Sequence, residues 1–206
     1  MIMELMEYGA AAKLVNSYKI KSIESRYVKS AQEAISFSRG KKIVLKVLSG
    51  KALHKSKMGL VKVGLQNEKE IEAAFSELAK KGKKFAPYKI IAQKMAPGGI
   101  EIIIGGRNDA QFGKMVLLGL GGIYVETFKD FALRACPITR FDAKSMIAQL
   151  KSNKIVTYNG RMEAQLEDLL LKTSKLLVKT KLEELDLNPV IIREDGYDVV
   201  DIRVLR

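Results

Sequence analysis

The chain has one cysteine, one histidine and no apolar run of membrane-spanning length among its 206 residues. The single Cys136 excludes an intramolecular disulfide, so the fold must rest on its core, and a chain of this size can bury one as a single domain or as two small lobes. Runs such as "KIVLKVLSG" and "KMVLLGLGGI" fall far short of the ~20 residues a span needs. At the start, "MIMELMEYGAAAKLV", Glu4 and Glu7 stand where a secretory signal carries positive charge, so no targeting segment is read and a cytoplasmic location is expected. Zinc ligands, an RNP-like aromatic strand, an arginine-rich tail, internal repeats and low-complexity tracts are also missing. The formal net charge of +13 and pI near 9.7 therefore read as a solvated lysine surface spread along the whole chain without a dense block. Some of that charge is reserved for a phosphate ligand or an acidic partner, and a basic RNA-binding domain is disfavoured.

What is present reads as alternating elements. Leu5, Met6, Ala10, Leu14 and Val15 have helical spacing, which predicts an amphipathic helix ending near Asn16. "SRYVKS" is extended, and Ser30 with Glu33 makes a capping box for a second helix closed by Gly40. "KIVLKVLS" is a strand interrupted only by Lys46. A charge there is costly unless something satisfies it, which makes Lys46 a candidate ligand contact. After the segment around His54, "LVKVGLQ" is a strand and "NEKEIEAAFSELAKKG" a helix capped by Asn67 with Gly82 at its end. "YKIIAQKM" runs into "APGG", a break of the kind that serves as a hinge. "IEIIIGGRND", "FGKMVLLGLGGI" and "FALRACPI" follow as strands, then helices over about 141–151 and 163–179, and "LDLNPVIIREDGYDVVDIRVL" closes the chain as a hairpin around Asp195 and Gly196. The class is α+β with two lobes: 26–96 the smaller, 1–25 with 97–206 the larger.

Three constellations carry chemistry. Lys46 on a strand leading into the Gly59-bearing loop can hold phosphate oxygens while backbone N–H groups approach closely. Gln93 and Glu101 flank the hinge, where a nucleoside is commonly read by one or two polar side chains in a cleft. Asp186 and Asn188 alternate on one strand face, and Asp201 on the returning strand comes alongside; one carboxylate and one amide leave positions for water and phosphates, which suits Mg²⁺ held with a nucleotide.

The order of these features resembles the ATP-grasp fold, and more narrowly the ATP-grasp (β) subunit or domain of the ADP-forming acyl-CoA synthetases, relatives of succinyl-CoA synthetase. The likeness is carried by "LKVLSGKALHKSKMGLVKVGL", "QKMAPGGIEIIIGGRNDAQFGKMVLLGLGGIYVETFKDFALRACPI" and "ELDLNPVIIREDGYDVVDIRV", collinear over nearly the whole chain. The resemblance implies ATP or ADP bound with Mg²⁺ between the lobes, and interconversion of acyl-CoA, ADP and phosphate with acid, ATP and CoA, for acetate or a related small acid. It implies that Lys46 contacts the phosphates, that Gln93, Lys94, Met95 and Glu101 frame the nucleoside, and that Asn188 and Asp201 ligate the metal. Asp186 would orient a phosphohistidine and Arg134 would clamp phosphate. Gly59, the loop from Gly119 to Ile123, and Glu126 would lie near the phosphates.

His54 matches the histidine of the family's "HKS" motif, which relays the phosphoryl group to ADP. A neutral imidazole, with an ordinary pKa of about 6.5, is nucleophilic at cellular pH, and Lys51, Lys55 and Lys57 favour that form while neutralising phosphoryl oxygens. Where the family commonly shows "HKSD.GGV", Lys57 replaces an acid and Leu60 a glycine, which makes the loop more basic and limits backbone approach to a phosphate. With no CoA-binding region, the chain is expected to need a separate α subunit, in an α₂β₂ assembly, with neither nucleic acid nor membrane as partner. The alternative is a nucleotide-binding regulatory subunit of the same fold with impaired transfer.

Overall fold

In the computed structural model, residues 4–51, 58–121, 130–158 and 160–206 are described. The chain forms two compact units, Ile23–Ala96 and Met1–Ser22 with Pro97–Arg206, each with its own sheet. The α+β class holds, with every pairing between named strands antiparallel.

In the smaller unit, β1 (Ser25–Val28), β2 (Ile43–Leu48), β3 (Val61–Leu65) and β4 (Lys89–Lys94) form a sheet in the order β1-β4-β2-β3. Two helices cover one face, α2 (Ala31–Ser38), capped by the Ser30 hydroxyl, and α3 (Glu68–Gly82), opened by an Asn67–Glu70 capping box. Ile43, Leu45 and Val47 of β2 and Ile90 and Ala92 of β4 point at these helices and meet Phe37, Ile71, Ala74 and Leu78 in one core. Period-two alternation sends Val44, Lys46, Ile91 and Gln93 to the other face.

In the larger unit, β5 (Ile100–Asp109), β6 (Gly113–Leu120), β7 (Phe131–Ala135), β8 (Glu184–Arg193), β9 (Gly196–Val199) and β10 (Ile202–Leu205) build a sheet ordered β10-β8-β5-β6-β7, with β9 on β8. Helices α4 (Arg140–Gln149) and α6 (Gly160–Lys179) pack on one face, and a one-turn α5 (Lys154–Thr157), not foreseen from the sequence, joins them. On α6 the buried Leu166, Leu169, Leu170, Leu176 and Leu177 recur at helical spacing. Gly106 of β5 lies under this helix, where a Cβ would stand 2.6 Å from the Leu177 methyls.

The first helix is shorter than its periodicity predicts. Helix α1 is Tyr8–Ser17, capped by Glu7, and buries Tyr8, Ala11 and Val15. Residues before it are extended, with Leu5 bridged to Leu205 and Met6 N–H donating to the Val204 carbonyl. An open edge of β10 offers those backbone groups partners that another helical turn would not, so Leu5 and Met6 leave the helix.

Both points where the chain passes between units are tied to the β8–β9 hairpin. Lys21 pairs with the buried Asp198 at 3.0 Å, and its carbonyl accepts from Val199 N–H at 2.9 Å. Asp198 also takes Arg193 at 2.9 Å, and the Arg193 stem packs on Gly99, where a Cβ would come within 2.6 Å of the Ile192 carbonyl oxygen. The glycine of the expected "APGG" break is thus required by close approach.

Candidate functional site

The candidate residues fall into two sets, one in each unit. On the helix-free face of the smaller sheet, Val44 of β2 pairs with Gln93 of β4, and Lys46, two positions along, pairs with Ile91. Lys46 is 5% exposed and Gln93 is fully buried, so the sequence places a cation and an amide on an otherwise apolar face about 7 Å apart along the strand. A lysine in such a place can meet phosphate oxygens as a point charge.

Lys94 does not share that face. Pairing with Ile43, it turns to the helix side, where its ammonium donates to the Phe37 carbonyl at 2.6 Å and the Ser38 carbonyl at 3.2 Å and lies 4.5 Å from the Phe37 ring. It caps the C-terminus of α2, whose last carbonyls lack intrahelical donors. Its side chain is spent there, which removes it from the set framing a nucleoside and leaves only its backbone. Met95 is exposed, and its N–H reaches the Lys42 carbonyl at 3.4 Å.

His54 lies outside the described residues, as do Lys55 and Lys57, but both flanks of their segment are fixed. The Ser49 hydroxyl donates to the Phe85 carbonyl at 2.6 Å and the Lys51 ammonium to the Ala86 carbonyl at 2.7 Å. On the far side Gly59 has φ +65°, a conformation that favours glycine, and its carbonyl accepts from Lys81 at 3.5 Å. Leu60, which replaces a family glycine, is fully buried in the core of the unit, so its bulk points inward.

In the larger unit the acidic residues gather on the sheet face opposite α4 and α6. On β8, Glu184, Asp186 and Asn188 are partly or fully exposed while Leu185 and Leu187 are buried. Asp186 pairs with Gly105 of β5 and Arg203 of β10. Asn188 N–H donates to the Asp201 carbonyl at 3.2 Å, which sets Asp201, between β9 and β10, beside Asn188 of β8. There β8 carries an extra residue, since Ile102 and Ile104 of β5 face Val190 and Leu187. Such a bulge redirects side chains and lies next to the Asn188–Asp201 pair. Glu101 is on the same face, four positions before Gly105 and so about 13 Å along the strand. Among the described residues no three of His, Cys, Asp and Glu cluster as a metal cage. The donors at Asn188 and Asp201 are hard oxygens, the first exposed and the second partly so, which fits a magnesium ion that keeps waters and takes phosphate oxygens as its other ligands.

Arg134 stands apart from this group. It pairs with Val116 on the helix-covered face and donates to Ser145 Oγ and Gln149 Oε1, each at 3.0 Å, and to the Leu133 carbonyl at 2.8 Å. The expected phosphate clamp therefore faces away from Asp186 and ties β7 to α4. Of the expected glycine loop, Gly119 is still in β6, and Gly121 N–H donates to the Glu101 carbonyl at 2.8 Å. A Cβ on Gly121 would lie 2.9 Å from that of Glu101, so this glycine sets the Glu101 backbone. Gly122, Ile123 and Glu126 lie outside the described residues.

The sequence reading missed an apolar strip beside Glu101. Ile103, Leu117, Phe131 and Leu133 share the acidic face, and Phe131 and Leu133 are 46% and 40% exposed. Alternation along "FALRA" was the available signal. An apolar strip next to carboxylates can receive a ring at one end and a metal-bound polyanion at the other.

The family described as ATP-grasp domain matches residues 4–205. Beta subunit I of the ADP-forming acetate–CoA ligase of Pyrococcus furiosus is 33% identical over 206 residues, covering 95% of this chain and 89% of that one. The ADP-forming acetate–CoA ligase I of Archaeoglobus fulgidus is 40% identical over 190 residues, 88% of this chain, which spans 27% of that longer protein. Among solved structures, the dinucleotide-forming acetyl-coenzyme A synthetase 1 of Ca. Korarchaeum cryptofilum, in complex with coenzyme A, Ca-AMPCP and HgCl+, superposes with a TM-score of 0.90 at 37% identity, over 98% of this chain and 93% of that one. The same synthetase with coenzyme A and Mg-AMPPCP, its phosphohistidine segment pointing towards the nucleotide binding site, gives 0.82 at 36% identity over 98% and 92%. By its strand order, its two units and this match along nearly its whole length, the chain belongs to the ATP-grasp domain family.

Proposed function

We propose that this chain is the β subunit of an ADP-forming acyl-CoA synthetase, acting with a CoA-binding α subunit on acetate or a related small acid. The observation that carries the reading is the two-way coverage of a β subunit, 95% of this chain and 89% of the Pyrococcus one. The Korarchaeum structures, with coenzyme A and a nucleotide analogue, support the same chemistry. An α₂β₂ assembly in the cytoplasm goes with this reading, and no helix among the described residues is long and apolar enough to cross a membrane.

In this reading the smaller unit is the nucleotide-binding lobe. Lys46 neutralises nucleotide phosphates, Gln93 and the backbone of Lys94 and Met95 frame the base, and Glu101 holds the ribose. Asn188 and Asp201 hold Mg²⁺, which when bound spreads and stabilises the charge of the phosphates. The partner's phosphohistidine gives its phosphoryl group to His54. That first transfer breaks one N–P bond and forms another, leaving the donor imidazole neutral. The second step breaks the His54 N–P bond and forms a P–O bond to the β-phosphate of ADP. Asp186 orients a phosphohistidine by accepting from its other ring N–H.

The test is to incubate the chain with Mg²⁺ and γ-labelled ATP, with and without its α subunit, beside His54→Ala. Acid-labile label on the wild type that disappears in the variant is expected. Tight nucleotide binding without label, even with the α subunit present, would replace this reading with that of a regulatory nucleotide-binding subunit.

A further inference from the structure

The two signs of charge divide unequally between the units. Residues 23–96 hold 17 of the 36 Lys and Arg and only 6 of the 23 Asp and Glu, so the smaller unit carries +11 of the formal +13 and the larger one +2. The expectation of evenly spread charge without a dense block is thereby corrected. Four of these lysines fall within five residues, Lys80, Lys81, Lys83 and Lys84 around Gly82.

Local structure accounts for only part of this cluster. Lys81 pairs with Glu77 at 2.8 Å and reaches the Gly59 carbonyl, and a cation in the last turn of α3 suits the helix dipole. Lys83 and Lys84 lie beyond the helix, in a 3₁₀ turn that ends at Phe85. They and Lys80 are exposed and form no ion pair or hydrogen bond among the described residues. The backbone beneath them is pinned. The Tyr88 ring packs on Gly82, where a Cβ would come within 2.5 Å, and its hydroxyl donates to the Ala79 carbonyl at 3.0 Å. Ser49 and Lys51 hold the carbonyls of Phe85 and Ala86 from the other side. Three uncompensated cations thus stand at the end of α3 and on the turn after it, where Phe85 and Ala86 bond to Ser49 and Lys51 on one flank of the His54 segment and Lys81 bonds to Gly59 on the other.

A bound nucleotide does not explain them, because Lys46 lies on the opposite sheet face from the one α3 covers. Nor does single-stranded RNA, which needs aromatic platforms among the cations, whereas the ring of Tyr88 is turned onto Gly82. The contacts of Ser49 and Lys51 with Phe85 and Ala86, and of Lys81 with Gly59, put these cations beside both ends of the segment that carries His54. We propose that Lys80, Lys83 and Lys84 form a docking rim for an acidic surface of the CoA-binding partner chain, steering it toward His54. The partner's identity rests on the function proposed above, and the rim's charge and rigidity do not.

Charge complementarity of this kind acts on encounter and raises association rates about 10- to 1,000-fold, with strong sensitivity to salt. The experiment is stopped-flow association of the labelled chain with the CoA-binding subunit of its own organism, from low to high ionic strength. The Lys80→Glu, Lys83→Glu, Lys84→Glu triple variant is expected to associate at least about tenfold more slowly at low salt, with a flattened salt dependence. Its Mg-ADP affinity and melting temperature, read on the isolated variant, are expected to stay at wild-type values. An unchanged association rate in a variant that binds Mg-ADP normally overturns the proposal. So does a short RNA that binds the wild type and loses affinity with the same three substitutions, or a wild type that does not associate with the subunit. His54 labelling from ATP by the chain alone is independent of docking, so failure of the rim and failure of the catalytic reading are told apart.

Discussion

At the scale of single residues, two cations singled out by the sequence have opposite surroundings. Lys46 is sealed on a sheet face that it shares with Gln93, while Arg134 is fastened to α4 through Ser145 and Gln149. Lys46→Met keeps much of the volume and removes the ammonium, so the KM for Mg-ADP is expected to rise at least about tenfold. Arg134→Lys loses the two-pronged geometry that bridges β7 and α4, so a lower melting temperature with unchanged KM is expected. Steady-state kinetics beside thermal melts decides both, and a reversed pattern would exchange the roles assigned to the two residues. The sequence showed that each cation was unusual, in a strand and in "FALRACP". It could not show which face each took, because face depends on register and register on the neighbouring strand.

Among elements, the junction of β3, α3 and the Gly59 flank depends on one carboxylate. Glu77 receives Lys62 at 2.6 Å and Lys81 at 2.8 Å, and these two ammonium groups lower its pKa from 4.5 to about 2. A carboxyl depressed in the folded state adds stability above its unfolded value. That contribution is expected to fade as pH falls from about 4.5 toward 2. Glu77→Gln is therefore expected to flatten the acid limb of the stability curve in that window and to leave its slope near pH 7 unchanged. Urea midpoints across the acid range measure this, and because Glu77 is well exposed the effect is small. Caps at Ser30 and Asn67 were legible in the sequence, since an N-cap depends on residues three apart. The start of α1 was not, because residues 5 and 6 are drawn into a pairing with residues 204 and 205 at the other end of the chain.

For the molecule as a whole, two units with separate cores imply separable stability. Gly106→Ala drives a methyl into Leu177 and so strains the packing of α6 on β5, at a cost of roughly 1–3 kcal/mol. The loss is expected in the larger unit, with faster amide exchange in β5 and α6 and little change in β2 and β4. Exchange that rises equally in both units would show that they unfold as one. The charge has the same division, and the asymmetry of +11 against +2 appears only once the chain is cut where the structure cuts it.

What the sequence determined alone was whatever depends on local spacing or on a collinear set of motifs. That covers the class, the main strands and helices, the ATP-grasp resemblance, and the alternation that puts Asp186 and Asn188 on one face. Tertiary structure alone decided which candidates share a surface. It grouped Glu101, Asp186 and Asn188 with an apolar strip, turned Arg134 and the Lys94 side chain away, and bonded the end of the turn carrying Lys83 and Lys84 to Ser49 and Lys51, just before the His54 segment. The physical reason is that a side chain's face follows from strand pairing between residues far apart in the chain, which spacing along the chain does not encode.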